Sequence, residues 1–400
     1  MIYLADLHIH SKYSRATSRL MDLKHLTTYA RMKGLHLLGT GDFTHPKWLK
    51  ELSQMGEQEG IYIYDDMNFL ITGEISTVYE QGGRVRKIHH LVLLPSLESA
   101  ELVNDAISKY ANLEADGRPT LPISSPELVE IIMSLEPKAL IIPAHAWTPW
   151  FGVFGSKSGF DSLRECYQDQ MKHIHGLETG LSSDPAMNWR LSELDGLTLM
   201  SNSDSHSPYP WRIGREANAF DLKELNYKEV YEAIRHNQLA FTIEVDPSYG
   251  KYHWDGHRSC GVRLEPKEAM KLGNICPVCK KPLTLGVLHR VEELADRPEG
   301  FVPEGARPFK SLLPLHEIIS KVHHHDISSQ SVWNVYNKFV NRFGSEYEVL
   351  LNASPEELRK VDKKVADVIQ RMREGRLKVK PGYDGVYGEL IVEKRLVDFM

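Results

Sequence analysis

The chain has 400 residues, 42% of them hydrophobic and 26% charged, and a formal net charge of −6. That length exceeds one ordinary core and falls short of three, which predicts one large domain with smaller appendages. No apolar run is long enough to cross a bilayer or to act as a secretory signal, so a cytoplasmic location is expected and membrane partners are not; the acidic balance argues against a surface coated throughout in phosphate-binding residues.

From the N-terminus to about residue 225, short apolar runs alternate with amphipathic stretches, the pattern of repeated strands and helices. Residues 2–5 read as the first strand. Positions i and i+2 share a strand face, so His8 and His10 bring two imidazoles to one point at its end, with Asp6, Ser11 and Ser14 beside them. Further strands are expected at 35–39, 68–72, 88–94, 139–142, 176–178 and 197–200. Each ends at or contains a polar, metal-competent residue: Asp42 with His45 nearby, Glu74, His89 or His90, His145, Glu178, and Asp204 with His206. In parallel α/β barrels the working residues gather at the C-terminal ends of strands, so this coincidence predicts a barrel-type active site.

Any one of these residues is more often a cap, a turn former or a solvated side chain than a ligand. Together they form two pairs at i, i+2 spacing and four further ligand types, and that conjunction points to a metal cluster. Imidazoles with carboxylates suit zinc, manganese or iron, and Glu74 and Asp204 are able to bridge ions. Glu178 is either a carboxylate that orients another group or a structural one. Alternation does not choose between His89 and His90, because neighbours face opposite ways. Trp147, Trp150, Phe151 and Phe154 follow His145 and either stack on a base or sugar or simply pack.

Residues 241–285 change character, being rich in Gly, Lys, His and Cys. Of the four cysteines, Cys166 stands alone and Cys260, Cys276 and Cys279 cluster, which in a reducing compartment favours metal over disulfide. His257-Arg258-Ser259-Cys260 and Cys276-Pro277-Val278-Cys279 are spaced as the two knuckles of a structural zinc site, with His253 as a competing ligand to His257. Lys271, Lys280, Lys281 and Arg290 around it meet phosphates or form a solvated face. Residues 290–313 look like a connector, and helices are expected at 315–324, 331–343 and 354–373. The last opens on Ser354-Pro355-Glu356-Glu357, a helix start with a serine cap and acids facing the dipole. Positive charge then concentrates at Arg359, Lys360, Lys363, Lys364, Arg371, Arg373, Arg376, Lys378 and Lys380, which suits a nucleic-acid backbone or, equally by charge pattern, an ordinary solvated helix face. Three regions follow: 1–225, 226–310 and 311–400.

Asp6-Leu7-His8-Ile9-His10-Ser11, Gly39-Thr40-Gly41-Asp42, Gly73-Glu74, Lys87-Ile88-His89, Pro143-Ala144-His145 and Ser203-Asp204-Ser205-His206 resemble the ordered motifs of the PHP family of metal-dependent phosphoesterases. The resemblance implies an α/β fold, a distorted (β/α)7 barrel, with a trinuclear centre at the strand C-termini. It places the ligands on His8, His10, Asp42, Glu74, His89, His145, Asp204 and His206, with Glu74, Asp204 and His206 at the catalytic centre. His89 is preferred over His90 because the family's ligand directly precedes the apolar run. Where the family carries Thr-Asp-His, this chain has Gly41-Asp42-Phe43, so Asp42 stands in for a histidine and His45 assists it or contacts substrate. Mg²⁺ or Mn²⁺ would serve catalysis, with Zn²⁺ in the structural module and also suited to the cluster.

With the cysteine module, Phe343-Gly344-Ser345-Glu346 and Lys380-Pro381-Gly382-Tyr383-Asp384-Gly385 included, almost the whole chain is similar to the endonuclease Q family. That family nicks DNA 5′ to deaminated bases (hypoxanthine, uracil, xanthine) and at abasic sites. Damaged DNA is therefore the implied partner, contacted through His45, Glu178, Lys363, Arg371, Arg373, Lys378 and Tyr383, alongside replication or repair proteins, and base flipping is the expected means of recognition. The barrel alone would also fit a small-molecule phosphoesterase of the histidinol-phosphatase kind, which needs neither the zinc module nor the basic tail.

Overall fold

The structure, a computed structural model, describes residues 1–391. It divides into two compact units, Met1–Glu244 with Leu294–Lys310, and Val245–Glu293 with the chain from Ser311 onward. These bounds depart from the expected breaks after 225 and 310, because 239–244 adds a strand to the first unit's sheet and 294–310 returns to that unit. Residues 392–400 of the expected C-terminal region lie outside the described residues.

The first unit carries β1 (Ile2–Asp6), β2 (Leu37–Gly39), β3 (Gly56–Gln58), β4 (Ile61–Tyr64), β5 (Met67–Gln81), β6 (Arg84–Leu94), β7 (Thr120–Leu121), β8 (Leu140–Pro143), β9 (Gly176–Glu178), β10 (Thr198–Met200), β11 (Ala217–Asp221) and β12 (Leu239–Glu244). β1 runs parallel to β2, and β2 parallel to β5. β6 then runs antiparallel to both β5 and β8, between which it lies, and β9 and β10 form a parallel pair. An isolated bridge from Ile141 to Ile174 links β8 to the approach of β9, and another from Ile9 to Ser205 links the ends of β1 and β10. The Leu7 amide also donates to Asn202 Oδ1 at 2.9 Å. Strands β1, β2, β5, β6, β8, β9 and β10 thus succeed one another round a core of Leu7, Leu37, Leu70, Leu91, Leu93, Leu140, Ile142 and Met200, against which Val230 and Ile234 of the helix Tyr227–Arg235 pack. This α/β arrangement is the expected one, with two departures that matter for the site.

First, β5 does not stop at residue 72 but continues to Gln81, so Glu74 lies inside a strand rather than at its end. The run Ile75-Ser76-Thr77-Val78-Tyr79 is rich in β-branched and aromatic residues, which hold an extended backbone. Second, β6 is antiparallel. Gly82 and Gly83, with φ of 63° and 70°, close a two-residue hairpin that only residues tolerant of positive φ make easily. His89 consequently reaches the site from the middle of its strand, opposite Ser76.

In the second unit a hairpin of Asp255–His257 and Val262–Leu264 turns through Arg258–Cys260 and Gly261, above a small core of Ala269, Cys276 and Leu283. Helices follow at Leu315–His323 and Gln330–Phe343. The single helix expected over 354–373 is two, Pro355–Val361 and Lys363–Arg373. Asp362 breaks it by adopting φ −155° and capping the Lys364 and Val365 amides with its carboxylate. The 381–388 segment belongs to the cysteine module: Trp254 N donates to the Gly382 carbonyl, Arg258 N to Asp384 Oδ2, and Gly256 lies so close to the Tyr383 ring that a β-carbon would meet it at 2.3 Å.

Candidate metal centre

Two triplets of ligand atoms, each within 4.8 Å, lie in the first unit: His8, His10 and Asp204, and Glu74, His89 and His145. His8, His10 and Glu74 are wholly buried, while the Asp204 side chain keeps 32% of its surface open. The triplets adjoin, since Glu74 Oε1 is 3.8 Å from His8 Nε2, and Glu74 Oε2 is 3.5 Å from His10 Nε2.

Each imidazole of the first pair is held from behind by a carboxylate. Glu178 Oε2 lies 2.9 Å from His8 Nδ1, and Asp42 Oδ1 lies 3.0 Å from His10 Nδ1. An ionised carboxylate only accepts, so both rings carry Nδ1–H and turn Nε2 into the centre. The remaining Asp42 oxygen accepts from Ser11 N at 2.6 Å and Ser11 Oγ at 2.7 Å. Asp42 therefore stands behind His10 and outside both triplets, unlike the ligand position expected for it. His145 Nε2 and His89 Nδ1 meet Glu74 Oε1 at 3.0 and 2.6 Å. His90 faces the other way, between Thr77 Oγ1 at 3.1 Å and the Tyr167 hydroxyl at 3.0 Å, so His89 is the residue turned to the cluster. His206, expected as a ligand, lies outside both triplets, its ring tilted at 48° to that of His10 with centroids 4.3 Å apart and its Nδ1 directed at the Asp204 carbonyl, 3.0 Å away.

Asp42, His145 and Asp204 adopt φ of 47°, 31° and 48°. Non-glycine residues in this region are uncommon and strained, and three in one site mean that the surrounding backbone over-determines them. Part of that scaffold is Gly41 (φ 64°), where a β-carbon would lie 2.3 Å from the Ile9 carbonyl oxygen. Asp6 ties β1 to the loop bearing Asp204 by accepting from Ser203 N at 3.0 Å and Gly214 N at 2.8 Å.

The electrostatics suit cations. Burial alone would discharge the imidazoles, but Glu178, Glu74 and Asp204 lift His8 to about 9, and Asp42 and Asp204 lift His10 to about 10. Burial likewise opposes the charge on Glu74 and Asp204, yet the facing histidines hold both carboxyls well below the usual range. His8 Nε2 is buried without a hydrogen-bond partner, 3.8 Å from one carboxylate and 3.7 Å from another. A buried ring nitrogen aimed between two anions and bonded to neither fits the position of a metal ligand.

In the second unit His257, Cys260, Cys276 and Cys279 bring their ligand atoms within 4.8 Å of one another, with His257 Nδ1 3.6 Å from Cys279 Sγ. His253 is buried apart from this group. Burial and the neighbouring Cys276 and Cys279 thiols push Cys260 up to about 11, whereas the amides of Cys279 and Val278 lower Cys276 against its burial. Three thiols this close resist joint ionisation unless a cation takes the charge.

The other expected contacts are distributed differently. His45 is buried outside both triplets, stacked on Tyr13 at 4.4 Å. Trp147 and Phe154 pack internally, Phe151 lies on His89 at 4.2 Å, and Trp150 is exposed. Lys363 and Lys378 are exposed and Arg371 is half-buried. Arg373 is spent inside its own unit, donating to the Val349, Leu350 and Ala353 carbonyls at 2.7 to 2.8 Å. One residue at the site escaped the sequence reading altogether: Arg118 donates through Nη1 to Glu74 Oε2 at 3.0 Å. No periodicity or spacing in 112–120 links it to a strand-borne glutamate 44 positions earlier.

Residues 314–376 match the family model of the MJ0043 C-terminal domain. Over 96% of this chain and 98% of the relative, the sequence is 30% identical to the uncharacterized protein YqxK of Bacillus subtilis. The crystal structure of the lesion-specific endonuclease PfuEndoQ from Pyrococcus furiosus superposes with a TM-score of 0.89, at 34% identity, covering 100% of this chain and 98% of that one. The chain belongs to the endonuclease Q family. An endonuclease Q complexed with a 27-mer duplex bearing an abasic lesion at its active site is similar over 98% of this chain and 97% of that one, at 35% identity and a TM-score of 0.87. The chain spans about a third of the length of the uncharacterized protein MJ0043 of Methanocaldococcus jannaschii, to which it is 35% identical over 262 residues. Among the described residues no helix is long and apolar enough to cross a membrane.

Proposed function

We propose that this endonuclease Q family member is a metal-dependent DNA repair endonuclease that hydrolyses the phosphodiester 5′ to a deaminated base (hypoxanthine, uracil or xanthine) or an abasic site. The observation that carries this reading is the paired His/carboxylate cluster in a chain similar, nearly end to end, to an endonuclease Q bound to a duplex with an abasic lesion at its active site. Divalent cations held by His8, His10 and Asp204 and by Glu74, His89 and His145, with His206 as a further ligand, would supply Lewis acidity toward water and phosphate. Mg²⁺ or Mn²⁺ suits the mixed oxygen and nitrogen donors in catalysis, and Zn²⁺ suits both these imidazoles and the His257, Cys260, Cys276, Cys279 module.

The chain's own groups set the geometry. Glu178 and Asp42 keep the proton of His8 and His10 on Nδ1, so each presents an Nε2 lone pair inward. His206 donates Nδ1–H to the Asp204 carbonyl, and its ring lies beside that of His10. Glu74 reaches from its own triplet to within 3.5 Å of His10 in the other, and Asp204 is open on one side, where a phosphate would approach. In the second unit the exposed Lys363 and Lys378 and the half-buried Arg371 are the basic residues for a DNA backbone, while Arg373 and Tyr383 hold that unit together.

The test is incubation with Mn²⁺ or Mg²⁺ and end-labelled duplexes carrying one uracil, hypoxanthine or abasic site, or none. Nicking on the 5′ side of the lesion, and none in the unmodified duplex, is expected. Release of phosphate from a small monoester without any nick would move the reading to the histidinol-phosphatase kind.

A further inference from the structure

Arg118 sits where no cation-binding residue needs an arginine. Its guanidinium contacts Glu74, a member of one ligand triplet that lies within 4 Å of His8 and His10 of the other, and its side chain is 27% exposed, so it borders the centre and solvent at once. The 112–120 loop that carries it is fastened by backbone contacts on all sides. Gly117 N donates to the Tyr13 carbonyl at 3.2 Å, Thr44 Oγ1 donates to the Gly117 carbonyl at 2.7 Å, and Ser76 N donates to the Pro119 carbonyl at 2.9 Å. The Arg118 amide itself donates to Asp116 Oδ1 at 3.2 Å. Gly117 permits the approach: a β-carbon there would lie 2.4 Å from Asp42 Cγ and 2.6 Å from Ser14 Oγ. The loop is pressed flat against the residues that orient His10, and this delivers Arg118 to a defined point over Glu74.

A guanidinium beside a site suited to several cations adds to the positive charge that would draw an incoming anion there. Glu74 meets only Nη1, and among the described residues the guanidinium makes no other hydrogen bond, so Nε and Nη2 remain available in the fork that matches two oxygens of a phosphate. We propose that Arg118 binds a non-bridging oxygen of the scissile phosphate and so positions the phosphodiester against the metal centre. This rests on the endonuclease reading for the ligand's being a DNA phosphodiester. The recognition itself requires only a phosphate.

The test is calorimetric titration of the Mn²⁺-loaded protein with inorganic phosphate, comparing wild type, Arg118→Gln and Arg118→Lys, with bound metal counted by elemental analysis. Arg118→Gln is expected to weaken phosphate on the order of 10- to 100-fold, the size of one charge-assisted hydrogen bond, at unchanged metal content. Arg118→Lys should recover part of the loss, because it keeps the charge and loses the fork. Unchanged phosphate affinity in Arg118→Gln, or a loss matched by loss of metal, overturns the proposal and leaves Arg118 as a brace for Glu74. If Arg118→Gln does not fold, Arg118→Lys decides, with wild-type affinity counting against the proposal. Should wild type nick no lesion duplex while the phosphate result holds, the endonuclease reading fails and the role of Arg118 stands.

Discussion

The Cys/His knuckle takes all four of its ligand atoms from the stretch between His257 and Cys279, whereas the His/carboxylate centre collects its six from positions as far apart as His8 and Asp204. The knuckle's thiols need no carboxylate behind them, and only a small core of Ala269, Cys276 and Leu283 lies beneath. In the centre, His8 and His10 are each fixed by a buried carboxylate, and three site residues hold strained backbone. The difference teaches which way support flows. A metal bound in the knuckle would help to fold its module, whereas the ligands of the centre are already held in place by the sheet and by the carboxylates behind them.

That contrast can be broken by mutation. Asp204→Ala should lower nicking by about 1,000-fold or more while leaving the melting temperature and duplex affinity close to wild type, as read by gel assay, scanning calorimetry and fluorescence anisotropy. A fully active variant would mean the metal centre lies elsewhere. Cys276→Ser should do the reverse in kind, costing at least about 100-fold in zinc affinity and melting the second unit earlier in a thermal scan. Retained zinc with an unchanged melt would remove the knuckle's structural role.

Smaller effects sharpen the comparison. Asp42→Asn and Glu178→Gln should each weaken Mn²⁺ binding about 10- to 100-fold, measured by metal titration, with the zinc content of the knuckle untouched. If Asp42→Asn instead abolished one metal equivalent outright, Asp42 would be a ligand after all. The gentlest probe is pH. Because the surrounding carboxylates raise His8 to about 9 and His10 to about 10, an incoming metal must displace protons, so Mn²⁺ affinity should climb between pH 6 and 9 with proton release on binding. The same raised values stabilise the metal-free fold fully below the ordinary histidine range, and that contribution is lost as pH rises through about 9 to 10. A flat pH profile for Mn²⁺ uptake would contradict this account.

How much of the site could be read in advance follows chain distance. The i, i+2 spacing after an apolar strand pointed to His8 with His10, which converge in one triplet, and to Asp204 with His206, of which Asp204 alone joins that triplet; the cysteine spacing pointed to the clustered knuckle. The strand directions were less legible. The two glycines at 82 and 83 reverse the chain, and that reversal brings His89 rather than His90 to Glu74. Basic residues were the least legible, since charge in a sequence does not say whether a guanidinium meets carbonyls, as Arg373 does, or a carboxylate, as Arg118 does.

By itself the sequence determined the chemistry on offer: imidazoles and carboxylates in or just after strands, thiols in knuckles, and helix starts such as Ser354. Tertiary structure alone decided which oxygen of Asp42 faces His10, which histidine of the 89–90 pair turns inward, and that a loop residue, Arg118, overlooks the centre. The physical reason is that donor type and local spacing are properties of neighbouring residues, whereas direction and contact depend on register and strand polarity, which many distant residues set together.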